Sequence, residues 1–514
     1  MINDDFDADF IVIGSGPAGV SVTFPLIEAG ARVLMMDGSG PDHPSSEDTT
    51  EPWRVALGHR LEALVPDDGL SPKLRTPESR RIIAEFHRSL KIRSDSFLAI
   101  GGIARGGLSR IWGSLVSELD ARDIEEWPFS INDLRPSYKA VTQRMGVSGS
   151  QSDDMSEFYG RSGEILPPLL IGPTAGRLLN DYCPGLFSDF ALGTARNAIL
   201  TVDRDGRKAC DHRKKCLWQC GRGAVYDSRF DLIKLATCHE FRIVDYALAT
   251  RLAPMGKGWK VSVRDGRSFR APRVVLAAGA LATSALAAPL LPNPPSELGV
   301  LSNPVIAMPL FVPRRLGCSA VSEGHSVAQL GYRLFYRNSD DEYVTGAIYE
   351  IDALPPSNFV TRLPLSRPAA NQLFAAMAPS MLLASGYFHG HYSENRLRLE
   401  KRDGEISMTI QGGFRAELPE KFYEVTRRLK KIWRCLGAWM LPGTELAPPG
   451  ADGHYAGLFG MGQEAEYGTT AFGEMNAAPG VFIVDGAAIP TLPSKHITLT
   501  IMANADRIGR HLAA

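Results

Sequence analysis

The chain has no excess of either charge: its 514 residues carry 56 Lys and Arg against 57 Asp and Glu, a net charge of −1. That balance removes the electrostatic case for a nucleic acid or an anionic membrane as partner. No apolar run approaches the ~18 residues that cross a bilayer, so no membrane span is expected. The start, Met1-Ile2-Asn3-Asp4-Asp5, lacks the basic and apolar regions of a secretory leader, although a processed chain would read the same. Cysteine is scarce, with seven in the chain, an odd number that fits a reducing compartment. A cytoplasmic protein is expected. Internal repeats and low-complexity tracts are absent.

What remains is an ordinary globular composition, 44% apolar and 22% charged, in a chain long enough for roughly two to four domain-sized units. Its most informative stretch lies near the start. Phe10-Ile11-Val12-Ile13 is a short apolar run that leads into Gly14-x-Gly16-x-x-Gly19, with Pro17 and Ala18 between the last two glycines. A helical pattern follows, then a second apolar run, Val33 to Met36, which ends on Asp37. This is a βαβ dinucleotide site in outline. Gly14 allows the tight turn, Gly16 lets the backbone approach a pyrophosphate, and Gly19 lets helix and strand pack closely. The helix N-terminus turns free N–H groups and its positive dipole end toward the phosphates. Asp37 stands near the expected ~20-residue spacing for a ribose hydroxyl acceptor. Pro25, inside the helix, is expected to kink it or cost one backbone hydrogen bond.

Further along, Arg80 to Leu90 has helical spacing of Ile82, Ile83, Phe86 and Leu90. Residues 101–113 hold five glycines, too many for the interior of a regular element and suited to a backbone that runs close to a flat ligand. Ser130 and Asp133 are spaced like a helix start. Phe241 to Thr250 and Trp259 to Val263 read as strands, with Asp265-Gly266 as a turn. Arg273 to Leu276 reads as a buried strand that turns through Ala277-Ala278-Gly279-Ala280 into a helix. From about residue 300 the texture changes to a largely antiparallel sheet: Val327–Tyr336, Glu342–Ile351, Met381–His389, Asn395–Glu400 and Ile406–Ile410, with Asp403-Gly404 as a hairpin turn. Leu418 to Leu441 reads as one long helix, its stripe of Phe422, Val425, Leu429, Ile432, Leu436 and Trp439 serving the core. A final strand, Val481 to Val484, ends in Asp485-Gly486, which suggests that the first domain is completed by the tail.

Taken together, these residues resemble the glucose–methanol–choline (GMC) family of flavin oxidoreductases, and sugar-oxidising members in texture. The resemblance rests on Gly14-x-Gly16-x-x-Gly19, Gly106-Gly107-x-Ser109-x-x-Trp112-Gly113, Ala277 to Ala280, and Val484-Asp485-Gly486 through His496-x-x-x-Thr500. It implies a mixed α/β and α+β architecture. A Rossmann-like FAD-binding domain would be discontinuous, over residues 1–300 and 451–514. A substrate domain, residues 301–450, would be built on the antiparallel sheet and backed by helices. It implies FAD, with Gly14, Gly16, Gly19 and Asp37 at the ADP half and Pro17 and Ala18 also at the cofactor. Gly107, Ser109, Trp112, Gly113, Ala278 and Gly279 would lie along the cofactor, the first, second and fourth of these against the isoalloxazine. Asp485, Ala487 and Ile497 would sit near the ribityl chain and pyrimidine ring, with Gly486 also at the cofactor. Ile111 stands where some members carry a histidine covalently bound to flavin, so FAD is expected to be non-covalent.

Oxidation of an alcohol by a flavin needs a proton taken from the hydroxyl and a hydride passed to flavin N5. Histidine suits proton transfer near neutral pH. By the resemblance, His454 is the principal base and His496 hydrogen-bonds the same oxygen and also lies at the cofactor. The expected activity is FAD-dependent oxidation of a CH–OH group, on a sugar or glycoside, with oxygen or a redox carrier as acceptor. Two alternatives stay open: a secondary alcohol in a natural product or polyol, and a non-redox lyase that holds FAD structurally. His389 and His391 read as core or surface histidines. Lys495 is expected at most to contact a polar substrate. Cys210, Cys216 and Cys220 resemble the loop of iron–sulfur family members, but Asp211-His212-Arg213-Lys214-Lys215 between them is charged where such loops are small and neutral. A cluster or other metal and plain structural thiols both stay open there, with His212 as an alternative ligand.

Overall fold

The computed structural model describes residues 6–41, 71–218, 220–319, 323–336, 342–351, 360, 363–402 and 405–514. Met1 to Asp5 and the Asp403-Gly404 turn lie outside them. Two sheets dominate. The first has five strands, all parallel, in the spatial order Val481–Ile483, Arg273–Leu276, Phe10–Ile13, Val33–Met36 and Phe241–Val244. Phe10–Ile13 and Val33–Met36 are buried at every position. Continuous apolar runs are what a parallel sheet covered on both faces requires. The strand from the far end of the chain pairs in register, Val274 with Val481 and Leu276 with Ile483.

Helix Pro17–Glu28 packs on this sheet and against the last helix, Thr498–Ala513. Pro25 does not break the first helix, which runs on to Glu28. The two helices approach so closely that a Cβ on Gly509 would sit 2.6 Å from Pro25 Cγ and from the Val22 carbonyl oxygen. The tail is held a second way. Asp485, directly after the last parallel strand, accepts hydrogen bonds from the Gly279 N–H at 2.8 Å, the Ala487 N–H at 3.0 Å and the Thr283 hydroxyl. Its carboxyl is fully buried, and burial pushes its pKa up to about 6 against those hydrogen bonds.

The second sheet is antiparallel, in the order Trp439–Met440, Val305–Phe311, Met381–Tyr387, Tyr343–Glu350, Leu330–Phe335 and Phe190–Thr194, with Glu445–Leu446 also on Val305–Phe311. It recruits Phe190–Thr194 from far upstream of residue 300. Helix Leu418–Cys435 covers one face with Val425, Leu429, Ile432 and Trp433. A smaller sheet joins Glu297–Val300, Asn395–Arg402, Glu405–Gln411 and Arg93–Asp95.

Three expected elements differ. The Leu418 helix ends at Cys435 rather than Leu441, because the chain turns left-handed at Gly437 (φ +77°). Trp439 therefore leaves the stripe for a short edge strand, where it is 56% exposed. Phe241 to Thr250 is not one strand but two, Phe241–Val244 and Ala249–Met255, which lie in different sheets. The Arg80 helix starts earlier, at Pro77, capped by the Thr76 side chain on the Ser79 N–H.

Two outcomes follow from the way the tail is held. Gly509→Val is expected to cost about 1–3 kcal/mol through overpacking, read as a lower Tm. Gly299→Ala, where an added Cβ meets nothing within 4 Å, serves as the control without that loss. For Asp485 the folded pKa, about 6, lies above the ordinary 3.8. The unfolded chain then gives up its proton first, so stability falls as pH rises from about 4 to about 6. Asp485→Asn abolishes that slope, worth about 3 kcal/mol at full ionisation; equal slopes in variant and parent would contradict the burial argument.

Candidate active site

The first glycine loop is built by close approach. Gly14 adopts φ +111°, and a Cβ there would meet the Ala277 carbonyl oxygen at 2.4 Å, which ties the loop to the end of the neighbouring strand. Gly19 faces Gly14 in the same way, with its carbonyl oxygen 1.9 Å from a Cβ. Gly16 is the exception: a Cβ on it meets nothing within 4 Å. It is the N-cap of a helix with Pro17 at its first position, and no side chain caps that end. Gly16 thus leaves an open cradle at a helix N-terminus. Asp37 is buried at the end of the next strand and accepts the Ser15 hydroxyl and the Ser39 N–H, the latter at 2.7 Å.

The second glycine loop lies against the first. The Gly106 N–H donates to Ser15 Oγ at 3.0 Å, and a Cβ on Gly107 would be 3.4 Å from Gly16 Cα. Ser109 spends its hydroxyl on the loop itself: it donates to the Gly106 carbonyl at 2.6 Å and accepts the Ser228 N–H at 3.0 Å. Trp112 Nε1 donates to the Tyr226 carbonyl at 2.9 Å. Gly113 is half-buried just beyond it. Ala278 and Gly279 form the third edge of this region. Gly279 has φ +90° with open space at its Cβ position, and the Ala278 N–H donates to Thr283 Oγ1 at 3.2 Å.

The tail meets residues 455–461 backbone to backbone. Gly457 N–H donates to Ile489 O at 2.9 Å, Phe459 N–H to Ala487 O at 2.8 Å and Met461 N–H to Ala488 O at 2.9 Å. Gly486 lies at the start of this seam, where a Cβ would strike the Tyr455 carbonyl at 2.3 Å. The seam brings His454 and His496 together, with ring centroids 5.7 Å apart and planes at 88°. Tyr387, at the end of an antiparallel strand, stands beside both, at 5.9 Å from His454 and 4.9 Å from His496. Burial, with the charge of Asp452 second, pushes the Tyr387 hydroxyl up to about 12, so it is neutral at pH 7.

Each histidine is held from outside the pair. The His496 backbone N–H donates to Ser117 Oγ at 3.2 Å, and Ile497 next to it is buried. Lys495, expected at most to contact a polar substrate, pairs its Nζ with Asp123 at 2.7 Å and Asp120 at 3.2 Å and lies over the Phe158 ring. It is a buried anchor for the loop. His454 Nδ1 lies 3.3 Å from Asn303 Oδ1 and 3.6 Å from Asp452 Oδ2. Asn303, Asp452 and Tyr387 were not foreseen. The one available sign was Asp452-Gly453-His454, the pattern of a carboxylate that accepts a backbone N–H two residues on.

The remaining candidates make contacts of their own. His389 Nδ1 accepts the His391 N–H at 3.1 Å, and burial lowers His389 to about 3. Cys210, Cys216 and Cys220 pack with Leu169, Ile199, Ala224 and Val327 in a satellite cluster. Burial pushes the Cys216 thiol up to about 12 and raises Cys210 as well, which favours neutral thiols. Among the described residues, no group of three or more His, Cys, Asp or Glu is arranged to hold a metal ion. The charges around them pair locally, Lys208 with Asp203 and Arg213 and Arg222 with Asp211.

No family model matches the chain. Three similar proteins do. Paromamine 6'-oxidase of Streptomyces fradiae is 24% identical, over 99% of this chain and 92% of that protein. 6'''-Hydroxyparomomycin C oxidase of Streptomyces lividus is 25% identical, over 98% of this chain and 91% of that one. Fructose dehydrogenase large subunit of Gluconobacter japonicus is 22% identical, a match that spans 46% of this chain and 44% of the subunit. In fold, the crystal structure of pyridoxine 4-oxidase from Mesorbium loti superposes with a TM-score of 0.61 at 16% identity, covering 98% of this chain and 99% of the other. The ordered motifs, these relatives and that fold agree: over nearly its whole length the chain is similar to oxidases of sugar-like alcohols and shares its fold with pyridoxine 4-oxidase, in keeping with the motif resemblance to the glucose–methanol–choline oxidoreductases.

Proposed function

We propose that the chain binds FAD non-covalently and oxidises a hydroxyl group of a sugar or glycoside, with His454 and His496 at the reacting oxygen. The observation that carries the proposal is the convergence of the two imidazoles, one from each side of the backbone seam, beside a neutral tyrosine. The names of the two relatives that align over nearly the whole chain, oxidases of paromamine and of 6'''-hydroxyparomomycin C, support the substrate class.

The residues present fit the cofactor. Gly16 and Gly279 leave space where any side chain would intrude. The uncapped helix N-terminus at Pro17 suits a pyrophosphate. Asp37 accepts from Ser15 and Ser39, and a carboxylate with about four acceptor sites retains capacity for a ribose hydroxyl. Gly14, Gly16, Pro17, Ala18, Gly19 and Asp37 would hold the ADP half. Gly107, Trp112, Gly113, Ala278, Asp485, Ala487 and Ile497 would border the rest. What the cofactor supplies when bound is a two-electron acceptor for the hydride of the carbinol carbon.

The protein supplies position and proton chemistry. His454 takes the hydroxyl proton, a role that imidazole fills near neutral pH. His496, held by Ser117, donates to the same oxygen and fixes its place. Two polar groups at one oxygen also select for an alcohol, since a substrate without the hydroxyl would leave both unpaired. Ile111 in the second glycine loop offers no nucleophile for a covalent link.

Two readings are separated by one experiment. Under anaerobic conditions, an alcohol substrate from a panel of amino sugars, hexoses and polyols is expected to bleach the oxidised-flavin absorbance. His454→Ala is expected to keep its flavin and to lose at least ~10²-fold in the rate of bleaching, the scale of lost general-base catalysis. Retained flavin with no bleaching by any alcohol would favour a non-redox role. Undiminished bleaching by the variant would remove His454 as the base.

A further inference from the structure

Asn303 is almost fully buried, and its amide orientation is set by its neighbours. Its Nδ2 group donates to two backbone carbonyls, Phe388 O at 2.8 Å and Pro493 O at 3.0 Å. Both N–H bonds are thereby used, and a carbonyl cannot donate in return. The amide oxygen must then be the atom that faces His454 Nδ1 at 3.3 Å. An amide oxygen only accepts, so Nδ1 must carry a proton. A neutral imidazole has one N–H, which leaves Nε2 as the basic nitrogen.

Asp452 adds charge to this arrangement. Its side chain is 0% exposed, and its Oδ2 lies 3.6 Å from His454 Nδ1. The same oxygen accepts the Asn303 N–H at 2.8 Å and the His454 N–H at 3.3 Å. One carboxylate oxygen thus holds the backbone of both residues and stands beside the imidazole. His496 and Tyr387 also face this ring. Tyr387 is neutral, and Asp452 is the acidic side chain that stands within 4 Å of the ring.

We propose that Asn303 and Asp452 are positioning residues that set the state of His454: Asn303 fixes the tautomer with its proton on Nδ1, and the Asp452 carboxylate stabilises the imidazolium formed when Nε2 takes the substrate proton. The inference rests on the reading of His454 as the base. In the step it serves, the substrate O–H bond breaks and an N–H bond forms at Nε2. For the oxidation to balance, the C–H electron pair would leave with its hydrogen as hydride, which FAD held by the Gly14–Gly19 and Gly107–Gly113 loops would accept, and the O–H electron pair would become the second bond of the product carbonyl. The cation on His454 lasts until its proton leaves, and it needs a counter-charge for that time. Asp452 provides one without contact with the substrate, at a distance where a buried carboxylate raises the basicity of an imidazole.

The test uses the flavin-loaded protein and two readouts. In the first, imidazole ¹⁵N resonances of the resting enzyme are recorded, with His454 assigned by its loss in His454→Gln. A protonated Nδ1 and an unprotonated Nε2 are expected; a proton on Nε2 overturns the tautomer assignment, whatever the activity. In the second, the rate of anaerobic flavin reduction is followed against pH in Asp452→Asn, with Asp452→Ser as the replacement if that variant does not fold. Loss of the anion lowers the pKa of His454. The acid limb is expected to move down by about one pH unit, with a plateau about tenfold slower, while flavin content and Tm stay near the parent values. A folded variant with an unchanged limb and plateau overturns the role of Asp452. If His454→Ala is inactive while Asp452→Asn is unaltered, only this inference fails. If His454→Ala reduces flavin normally, the assignment of the base fails with it.

Discussion

One buried carboxylate ties the tail of the chain to its middle. Asp485 follows the last parallel strand and accepts from Gly279 and Thr283, which follow the neighbouring strand. The strand register places it there, Leu276 opposite Ile483. From that point the backbone has little choice. Gly486 presses on the Tyr455 carbonyl, and residues 487–489 pair with residues 457–461. That seam begins one residue after His454 and runs toward His496. The position of both histidines is therefore inherited from a sheet that starts at Phe10. A domain assembled from both termini costs long-range ordering during folding, and in return it registers distant segments to within hydrogen-bond tolerance.

The two sheets divide the work. The parallel sheet ends in glycine loops whose open positions, Gly16 and Gly279, face space rather than protein. The antiparallel sheet is stiffened from behind by Trp433, which meets Phe190 and Tyr332 edge-on at 5.6 and 5.2 Å. Its strand Met381–Tyr387 delivers Tyr387 to the histidines. Asn303, just before the strand Val305–Phe311, reaches Phe388 and Pro493 together. One amide thus ties the antiparallel sheet to the loop of His496. Lys495 secures the same loop from its other side through Asp120 and Asp123. A buried cation of this kind costs desolvation and is held only by close partners, which is why it serves as an anchor and not as a substrate ligand.

Much of this was legible in the sequence because the chemistry leaves few alternatives. A backbone that passes within 2.4 Å of where a Cβ would stand demands glycine, so Gly14 and Gly19 mark their own positions. Phe10–Ile13 and Val33–Met36 are apolar throughout because both faces are covered. The illegible parts depend on tertiary contact. Asn303 and Asp452 are ordinary loop residues until Phe388, Pro493 and His454 surround them. Trp439 continues the helical period of the Leu418 stripe, and only the left-handed turn at Gly437 removes it. The break in Phe241 to Thr250 falls at Tyr246, a non-glycine residue at φ +52° that no periodicity announces. Ser109 sits in a motif associated with cofactor contact, yet its hydroxyl is engaged by Gly106 and Ser228.

The central claim is that both ends of the chain build one cofactor cradle with the histidine pair at its reactive edge. The most direct measurement is a crystal structure of the protein loaded with FAD and a non-reactive substrate analogue. The account predicts the pyrophosphate at the N-terminus of helix Pro17–Glu28, with the analogue hydroxyl within hydrogen-bond distance of His454 Nε2 and of His496. Phosphates bound away from Gly14 to Gly19, or a hydroxyl remote from both imidazoles, would contradict it.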